Sequence, residues 1–434
     1  MNLKYKILAV LAAGIALTAC GGSGTPASTP ASSAVLASSH VAEEGVTEPI
    51  NLQTWTLDDL DDTQTATFVS ASITSGVQNG KLTAKVFSYD LYKKEDVEKD
   101  TYANPLFMEG ANSSAIYHNG KYYYTHETNE QIYLWVTTDI TDMAHSTCKE
   151  VWVPKDPSNS HNLWNPEIRN INGKWYIYFA ADDGNTDNHQ IYVIENDSPD
   201  PMQGEFRMKG AIMTNPDWNW GIHPSTFEHK GELYLLWSGW PNRRIGSETQ
   251  CIYIARMENP WTLATERVLI SKPEYEWERQ WVNPDGGRTA YPIYVNESPQ
   301  YFHSKDNRTV IVYYAASGCW SPYYCTGMLT ADADSDLLNP ASWKKSPVPV
   351  FQQRPEDGVY GPANLSFLPS PDGTEWYILY QARSVPSGNT GESESRNPRL
   401  QKIGWDADGM PDLGVPLPVN TPLPKPSGTV PFTP

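Results

Sequence analysis

The sequence lacks long helical apolar stretches and has few basic residues and few cysteines, and each shortage argues against a class of protein or site. Its 434 residues contain no long stretch with the apolar period of a helix, and the mean hydropathy of −0.52 excludes a multi-span membrane protein. Basic residues (32) are outnumbered by acidic ones (51), and the formal charge is −19. Such a surface repels a phosphate backbone, which excludes nucleic acid as a partner. Cysteine is scarce (5), and no Cys-x-x-Cys pair or histidine cluster indicates zinc.

Aromatic and turn-forming residues are abundant instead. The sequence has 25 Tyr and 16 Trp, together with 30 Gly and 35 Pro. Tyrosine and tryptophan favour strands, whereas glycine and proline favour turns. The composition therefore predicts a β-rich protein.

The first fifty residues have the pattern of an export signal and a tether. Lys4 and Lys6 precede an apolar run, 7–17, and the run is too short to span a membrane. The sequence Leu-Thr-Ala-Cys that ends at Cys20 resembles the bacterial lipobox, which implies cleavage after residue 19 and lipidation of the Cys20 thiol. An ordinary signal peptide cut near Ala19 is the alternative. Residues 20–49 are rich in Ser, Thr, Ala and Pro and are typical of a flexible tether.

Export would place the remaining cysteines in an oxidising compartment. These are Cys148, Cys251, Cys319 and Cys325. An oxidising compartment permits disulfides, and Cys319 and Cys325 are close enough in sequence for a local bridge. The sequence leaves the pairing open.

One hairpin pattern recurs five times along the chain. The copies are AIYHNGKYYYTHE from Ala115, EIRNINGKWYIYFAAD from Glu167, TFEHKGELYLLWSGW from Thr226, QYFHSKDNRTVIVYYAAS from Gln300 and SFLPSPDGTEWYILYQARS from Ser366. Each has a strand, a tight turn and a second strand rich in aromatic and apolar residues. Five such units predict an all-β fold, a five-bladed β-propeller. A β-sandwich with similar hairpins is the alternative.

A propeller would bring the five inner strands together around one channel. Residues at the start of these strands should therefore share a pocket: Asn112, Glu167, His223, Glu297 and Asn364. Polar side chains at equivalent points in all five blades suit a ligand rich in hydroxyl groups.

Residues 100–412 resemble glycoside hydrolase family 43, in particular its exo-acting α-L-arabinofuranosidases. The resemblance lies in LWNPEIRNINGKWYIYFAA, NESPQYFHS, YGPANLSFLPSPDGTEWYILYQAR and SGCWSPYYCTGMLTADADSDLLNPASWKKSPVPVF. Family members invert the anomeric centre with a general acid and a general base, roughly 6.5–9.5 Å apart. The resemblance makes Glu297 the general acid. The position of the general base falls on Asn112 in GANSS, and that of a third carboxylate, which raises the pKa of the acid, falls on His223.

The resemblance extends to the rest of the pocket. Trp164, Trp218 and Trp220 should rim it and stack on sugar faces. Glu167 is a further candidate for substrate binding, with a purely structural role as the alternative. Asn364 replaces the histidine that, in family members, shapes the pocket floor and a central calcium site. We expect no required cofactor, with a structural Ca²⁺ in the central channel as the alternative.

The sequence thus predicts a signal peptide (1–19), a tether (20–49), a β-rich extension (50–99), a propeller (100–420) and a Pro-rich tail (421–434). The expected function is exo-α-L-arabinofuranosidase activity on arabinose-containing plant cell-wall polysaccharide, by a monomer. We expect an exported lipoprotein, periplasmic or on the outer-membrane surface, which touches the membrane only through the lipid. Two alternatives stay open. One is a catalytically impaired propeller that binds arabino-oligosaccharides, and the other is a β-xylosidase-type hydrolase.

Overall fold

A computed structural model describes residues 64–72, 83–92, 100–106, 110–127, 130–215, 219–242, 248–281, 292–386 and 396–432. The predicted signal peptide, Cys20 and the tether lie outside these residues, as does Trp218. None of the helices in these ranges has the length and apolar character needed to cross a membrane.

The chain divides into two compact units. The first contains an antiparallel hairpin of β1 (Gln64–Ser72) and β2 (Thr83–Tyr92). Extra strands were expected in this region, and the hairpin agrees with that expectation.

The second unit is the predicted five-bladed propeller. Each blade is an antiparallel sheet of four strands, counted outward from the channel. Blade 1 has β4 (Ser114–His118), β5 (Lys121–Glu127), β6 (Ile132–Thr137) and β7 (Thr147–Trp152); blade 2 has β8 (His161–Ile171), β9 (Lys174–Asp182), β10 (Gln190–Asn196) and β11 (Arg207–Ala211); blade 3 has β12 (Gly221–His229), β13 (Glu232–Gly239), β14 (Glu248–Asn259) and β16 (Val268–Ser271); blade 4 has β17 (Ile293–His303), β18 (Thr309–Ala316), β19 (Cys325–Asp332) and β20 (Lys344–Lys345); blade 5 has β21 (Tyr360–Pro369), β22 (Trp376–Arg383), β23 (Asn397–Trp405) and β24 (Pro411–Asp412).

Other elements are short. The strands β3 (Thr101–Tyr102), β15 (Thr262–Leu263) and β25 (Leu423–Pro424) have two residues each. The 3-10 helices are single turns: Met143–His145, Pro157–Asn159, Thr186–Asn188, Glu276–Glu278, Pro340–Ser342 and Pro355–Asp357. The first residues of β14 also pair in parallel with the first residues of β17, so blades 3 and 4 form one continuous sheet.

The turn between the two innermost strands fixes the register of each blade. In blade 1 the turn residues Asn119 and Gly120 have φ of 48° and 80°, and Asn172 and Gly173 of blade 2 have φ of 53° and 78°. Positive φ at both central residues is the requirement of a type I′ turn, which asparagine and glycine meet at least cost. These Asn-Gly pairs are the tight turns of the first two hairpin copies, and they place the strands as predicted.

Apolar clusters fill the spaces between neighbouring blades. Trp175 lies between blades 1 and 2, Trp237 between blades 2 and 3, and Tyr314 between blades 3 and 4. Burial of each large side chain contributes on the order of 1.5–3 kcal/mol. Blade 5 meets blade 1 through polar contacts as well, because the backbone N–H of Ala115 donates to Ser366 Oγ at 3.2 Å. These contacts hold the inner strands in a closed ring.

At equivalent points of the five blades, on or just before the inner strand, a non-glycine residue lies in the left-handed region, and β8 has a second one in Asn162 (φ 49°). The five residues are Asn112, Asn165, His223, Ser298 and Asn364, with φ between 50° and 62°. In blades 2 to 5 the pairing register shifts at this point. Such bulges re-aim side chains. The strained positions therefore mark where each blade turns its polar residues toward the channel.

The local disulfide considered for Cys319 and Cys325 is not formed. Neither thiol takes part in a disulfide, and the same holds for Cys148 and Cys251. The Cys325 side chain is buried in the cluster between blades 3 and 4, whereas Cys319 lines the channel mouth. The two thiols point into different surroundings because the strand β19 begins at Cys325 and fixes its orientation.

Candidate active site

A cavity of about 650 Å³ opens where the inner strands begin. Asn112 of blade 1, His223 of blade 3 and Glu297 of blade 4 all line it. These residues are far apart in sequence, and the ring of inner strands brings them to one site. The sequence repeat predicted this convergence.

Glu297 lies on β17 just before the bulge and is 6% exposed. Its Oε1 accepts a hydrogen bond of 2.7 Å from the Tyr324 hydroxyl. Burial alone would raise the pKa of the carboxyl group, but the charge and hydrogen bond of His223, the Tyr324 hydroxyl and the charge of Arg396 outweigh it and hold the pKa below its ordinary value. In a resting site with these neighbours, Glu297 favours the carboxylate form.

His223 provides the largest of the opposing effects. Its Nε2 lies 3.4 Å from Oε2 of Glu297, and its Nδ1 lies 2.6 Å from the Ser298 hydroxyl. A proton on Nε2 lets the ring donate toward Glu297, while Nδ1 accepts from Ser298. A carboxylate at this position would raise the pKa of the neighbouring acid, whereas the imidazole lowers it.

Asn112 stands at the expected position of the base, and its amide orientation is fixed by two charged groups. Its Nδ2 donates to Oε1 of Glu127 at 3.1 Å, and its Oδ1 accepts from Nη2 of Arg396 at 3.1 Å. Glutamate can only accept here and arginine can only donate, so the amide has one satisfactory orientation. Asn112 therefore links Glu127 and Arg396, and its neutral amide cannot take a proton itself.

A chain of hydrogen bonds joins the two sides of the site. The backbone N–H of Asn112 donates to Oε1 of Gln381 at 2.6 Å, and the same oxygen accepts from Nδ2 of Asn364 at 3.2 Å. Tyr324, whose hydroxyl donates to Glu297, also approaches Oδ1 of Asn364 at 3.4 Å. Burial raises the pKa of Tyr324 well above its ordinary value, so its hydroxyl remains a donor. Asn364 thus lies beneath the site as part of this chain.

Two of the three predicted tryptophans line the cavity, and the third, Trp218, lies outside the described residues. Trp220 is 5% exposed because its ring stacks on Trp240 at 4.2 Å between centroids. Trp164 packs against His189 with 4.1 Å between ring centroids and the ring planes 30° apart, and it is more exposed. Aromatic faces of this kind suit the C–H surfaces of a sugar ring. Trp164 has the more accessible face.

Glu167 lies below the main cavity and does not line it. Its carboxylate is 2.7 Å from Nη2 of Arg169 and accepts from Nε2 of Gln300 at 2.6 Å. Asn165, two positions earlier, lines the main cavity. These contacts give Glu167 a bracing position between blades, and direct substrate contact by this residue stays a prediction.

A smaller cavity of about 30 Å³ lies at the channel centre, where the resemblance implies calcium. Calcium sites use six to eight oxygen ligands, usually with several carboxylates. Glu167 is the one carboxylate among the described residues lining this cavity, and Arg169 already neutralises it. No cluster of three or more His, Cys, Asp or Glu side chains suited to a metal occurs in the described part of the chain.

Water fits this cavity better than a divalent cation does. The buried oxygens Ser114 Oγ and Asn165 Oδ1 both line it and make no hydrogen bond within the described residues. A cavity of this size holds a water molecule, which could donate to such oxygens. The residues present therefore do not fit a calcium ion.

Several cavity residues were missed from the sequence: Glu127, Asn165, Glu248, Gln250, Trp320 and Arg396. Most of them stand on second or third strands or on loops, outside the repeated segment. Glu127 carried a usable signal. The turn at Asn119-Gly120 sets a register that places residue 127 opposite residue 112.

The chain is similar in sequence to one known protein family and to several known proteins. The family model described as glycosyl hydrolases family 43 matches residues 102–411. An extracellular exo-α-(1→5)-L-arabinofuranosidase of Streptomyces avermitilis is 34% identical over 327 residues, which cover 73% of this chain and 64% of that protein. A protein of the same name from Streptomyces chartreusis is 33% identical over 289 residues, covering 65% of this chain and 82% of that protein.

The chain is also similar to solved structures. An α-L-arabinofuranosidase from Lactobacillus brevis superposes with a TM-score of 0.66 at 33% identity, covering 74% of this chain and 98% of that one. The chain spans 64% of the length of the first curated relatives that it matches.

Proposed function

The chain belongs to glycosyl hydrolase family 43, and on this basis we propose that it is an exo-α-L-arabinofuranosidase that acts on arabinose-containing plant cell-wall glycans. The observation that carries the proposal is the buried Glu297 at the wall of a cavity of about 650 Å³, between Tyr324 and His223. Such a cavity is of the size that small-molecule sites have, and its aromatic wall suits a sugar.

In the proposed reaction Glu297, in its protonated form, donates a proton to the glycosidic oxygen as the bond to the anomeric carbon breaks. A water molecule attacks the opposite face of the sugar, so the configuration inverts. Tyr324 and His223 hold the Glu297 side chain in one orientation. Because the pKa of Glu297 is held low, we expect the protonated enzyme to be most abundant in acid and the rate to fall toward neutral pH.

Arabinose release by the purified protein tests this function. The substrates are linear arabinan, an α-arabino-oligosaccharide and p-nitrophenyl α-L-arabinofuranoside, with p-nitrophenyl β-D-xyloside beside them. We expect turnover of the arabinofuranosides and a loss of about 10²-fold or more in Glu297→Gln on the natural linkages. Glu228→Gln is the matched control because Glu228 is an exposed glutamate on the inner strand of blade 3. Turnover of the xyloside alone would show that the protein is a glycoside hydrolase that acts on β-xylosides and not on arabinofuranosides.

A second function has its own support. Asn112 is neutral, and Glu297 favours the carboxylate form in the resting site. Both features suit a propeller that binds arabino-oligosaccharides without cleaving them. Calorimetric binding without arabinose release, over the whole acid-to-neutral range, would favour this alternative.

We also propose that the chain is exported and anchored through a lipid on Cys20. The support is the charged and apolar leader followed by Leu-Thr-Ala-Cys. Its extracellular relatives in Streptomyces are consistent with export. Incorporation of labelled palmitate in the wild type, and its absence in Cys20→Ser, is the expected result.

A further inference from the structure

The carboxyl group of Glu127 lies directly beside the side-chain amide of Asn112, which occupies the expected position of the general base. We propose that Glu127 is the general base of this site, with Asn112 as its positioning residue. The inference rests on the proposed function, since it assigns a role in the same hydrolysis.

Strand register brings the two residues together. β4 and β5 pair with Ser114 opposite Thr125 and His118 opposite Lys121. Continuing the same antiparallel register by two residues sets Asn112 opposite Glu127. Side chains at opposed positions lie on the same face of a sheet, so both point into the channel mouth. Both residues line the large cavity.

The contacts of Glu127 suit a base. Its Oε1 accepts from Nδ2 of Asn112 at 3.1 Å, and its Oε2 lies 3.8 Å from Nδ1 of His126. It is 6% exposed and borders the cavity. The Glu127 carboxyl group therefore lies one hydrogen bond away from the side chain of Asn112, on the same blade.

The other acidic residues near the cavity are placed less well for this role. Glu248 stands on blade 3 and accepts hydrogen bonds from Trp240 and Gln250. Glu167 lies below the cavity and is neutralised by Arg169. Glu127 is on blade 1, which is not adjacent to blade 4 of Glu297 in a ring of five. Only a base away from the acid leaves room for an attacking water.

In the proposed step, Glu127 takes a proton from water while the water oxygen forms a bond to the anomeric carbon. The bond from that carbon to the leaving oxygen breaks, and Glu297 gives its proton to that oxygen. Glu127 ends protonated and Glu297 ends ionised, and exchange with solvent restores both.

Asn112 has a defined part in this arrangement. Its amide accepts from Arg396 and donates to Glu127, so it fixes the orientation of the Glu127 carboxyl group beside the cavity.

The test uses Glu127→Gln, Asn112→Asp and the double variant, with Glu150→Gln as control. Glu150 is an exposed glutamate on the outer strand of the same blade. Glutamine keeps the acceptor for Asn112, so a structural role alone would survive the change. Each variant is assayed with an arabino-oligosaccharide and with an activated aryl arabinofuranoside, with and without sodium azide, after thermal unfolding shows that it folds.

We expect Glu127→Gln to lose about 10²-fold or more in kcat on both substrates, because an activated leaving group relieves the need for an acid but not for a base. Azide should restore turnover of the aryl substrate and give the arabinofuranosyl azide of inverted configuration. Asn112→Asp in the Glu127→Gln background should recover at least about 10-fold, because it supplies a carboxylate at the neighbouring position.

Three results would overturn the assignment while leaving the function intact: a Glu127→Gln rate within about 10-fold of wild type, a loss that neither azide nor the second substitution relieves, or an azide product of retained configuration. Absence of turnover in the wild type would instead overturn the proposed function, and the role of Glu127 with it.

Discussion

Nε2 of His223 lies 3.4 Å from Oε2 of Glu297. The two side chains are buried together, and Ser298 holds the other ring nitrogen at 2.6 Å. Burial would favour the neutral acid, yet the pKa of Glu297 is held low, with His223 the first of the groups that lower it. Among the groups that oppose burial and hold the pKa of the expected general acid low, a histidine on a different blade therefore has the largest effect.

Replacing His223 with Asn should move the alkaline limb of the pH–rate profile upward. Loss of the imidazole leaves burial as the main influence, so the pKa of Glu297 rises and the acid stays protonated at higher pH. Tyr324→Phe should shift the limb in the same direction, since it removes a hydrogen bond to the carboxylate. The measurement is kcat/KM from acid to neutral pH. A limb unchanged in both variants would show that Glu297 is not the group that titrates.

The same pair should make stability depend on pH in a definite direction. The folded pKa of Glu297 lies below its unfolded value of about 4.3, so its stabilising contribution is present above that value and is lost as pH falls through the folded pKa. The difference in free energy of unfolding between wild type and Glu297→Gln should therefore shrink on acidification. Urea unfolding at a series of acid pH values measures it, and a difference that grows instead would contradict the assigned shift.

A buried ion pair behind β17 should be important for stability. Glu278 is fully buried and contacts Nζ of Lys345 at 2.9 Å, the Tyr314 hydroxyl at 2.8 Å and Nδ2 of Asn296 at 3.0 Å. Removing one partner of a buried pair leaves an uncompensated charge and costs about 3–5 kcal/mol.

Lys345→Met should therefore destabilise the protein by this amount. Lys344→Met is the matched control, because Lys344 is the exposed neighbour on the same strand, and it should change stability by about 0.5 kcal/mol at most. Denaturant unfolding measures both variants. Equal effects of the two substitutions would show that the ion pair contributes little.

Chelators should leave the propeller unchanged. The central cavity offers one carboxylate, already paired with Arg169, and buried neutral oxygens that suit water. Dialysis against EDTA should change neither Tm nor the rate of hydrolysis, and added calcium should raise neither. A fall in Tm with EDTA that calcium reverses would show that the cavity binds the ion.

Sequence reasoning located the blades but only part of the site. The Asn119-Gly120 turn chemistry is local, so the register of blade 1 could be read directly. The left-handed bulges are not visible in a strand pattern, so the sequence could not show that Asn165 lines the main cavity while Glu167 lines the small cavity below it. Glu127 was missed because it stands on the second strand of blade 1, whereas the predicted pocket residues stand at the start of the inner strands; the same turn sets it opposite Asn112. Contacts such as Lys345 with Glu278 join residues far apart in sequence and depend on the assembled ring.

The configuration of the sugar first released tests the mechanism most directly. An α-L-arabinofuranoside is mixed with the enzyme at acid pH, and proton NMR spectra are recorded before mutarotation equilibrates the anomers. Water attack on the face opposite the leaving group requires that β-L-arabinofuranose appears first and that its α-anomer grows in later. First release of the α-anomer would mean retention through a covalent intermediate, and it would contradict the roles given to Glu297 and Glu127 together.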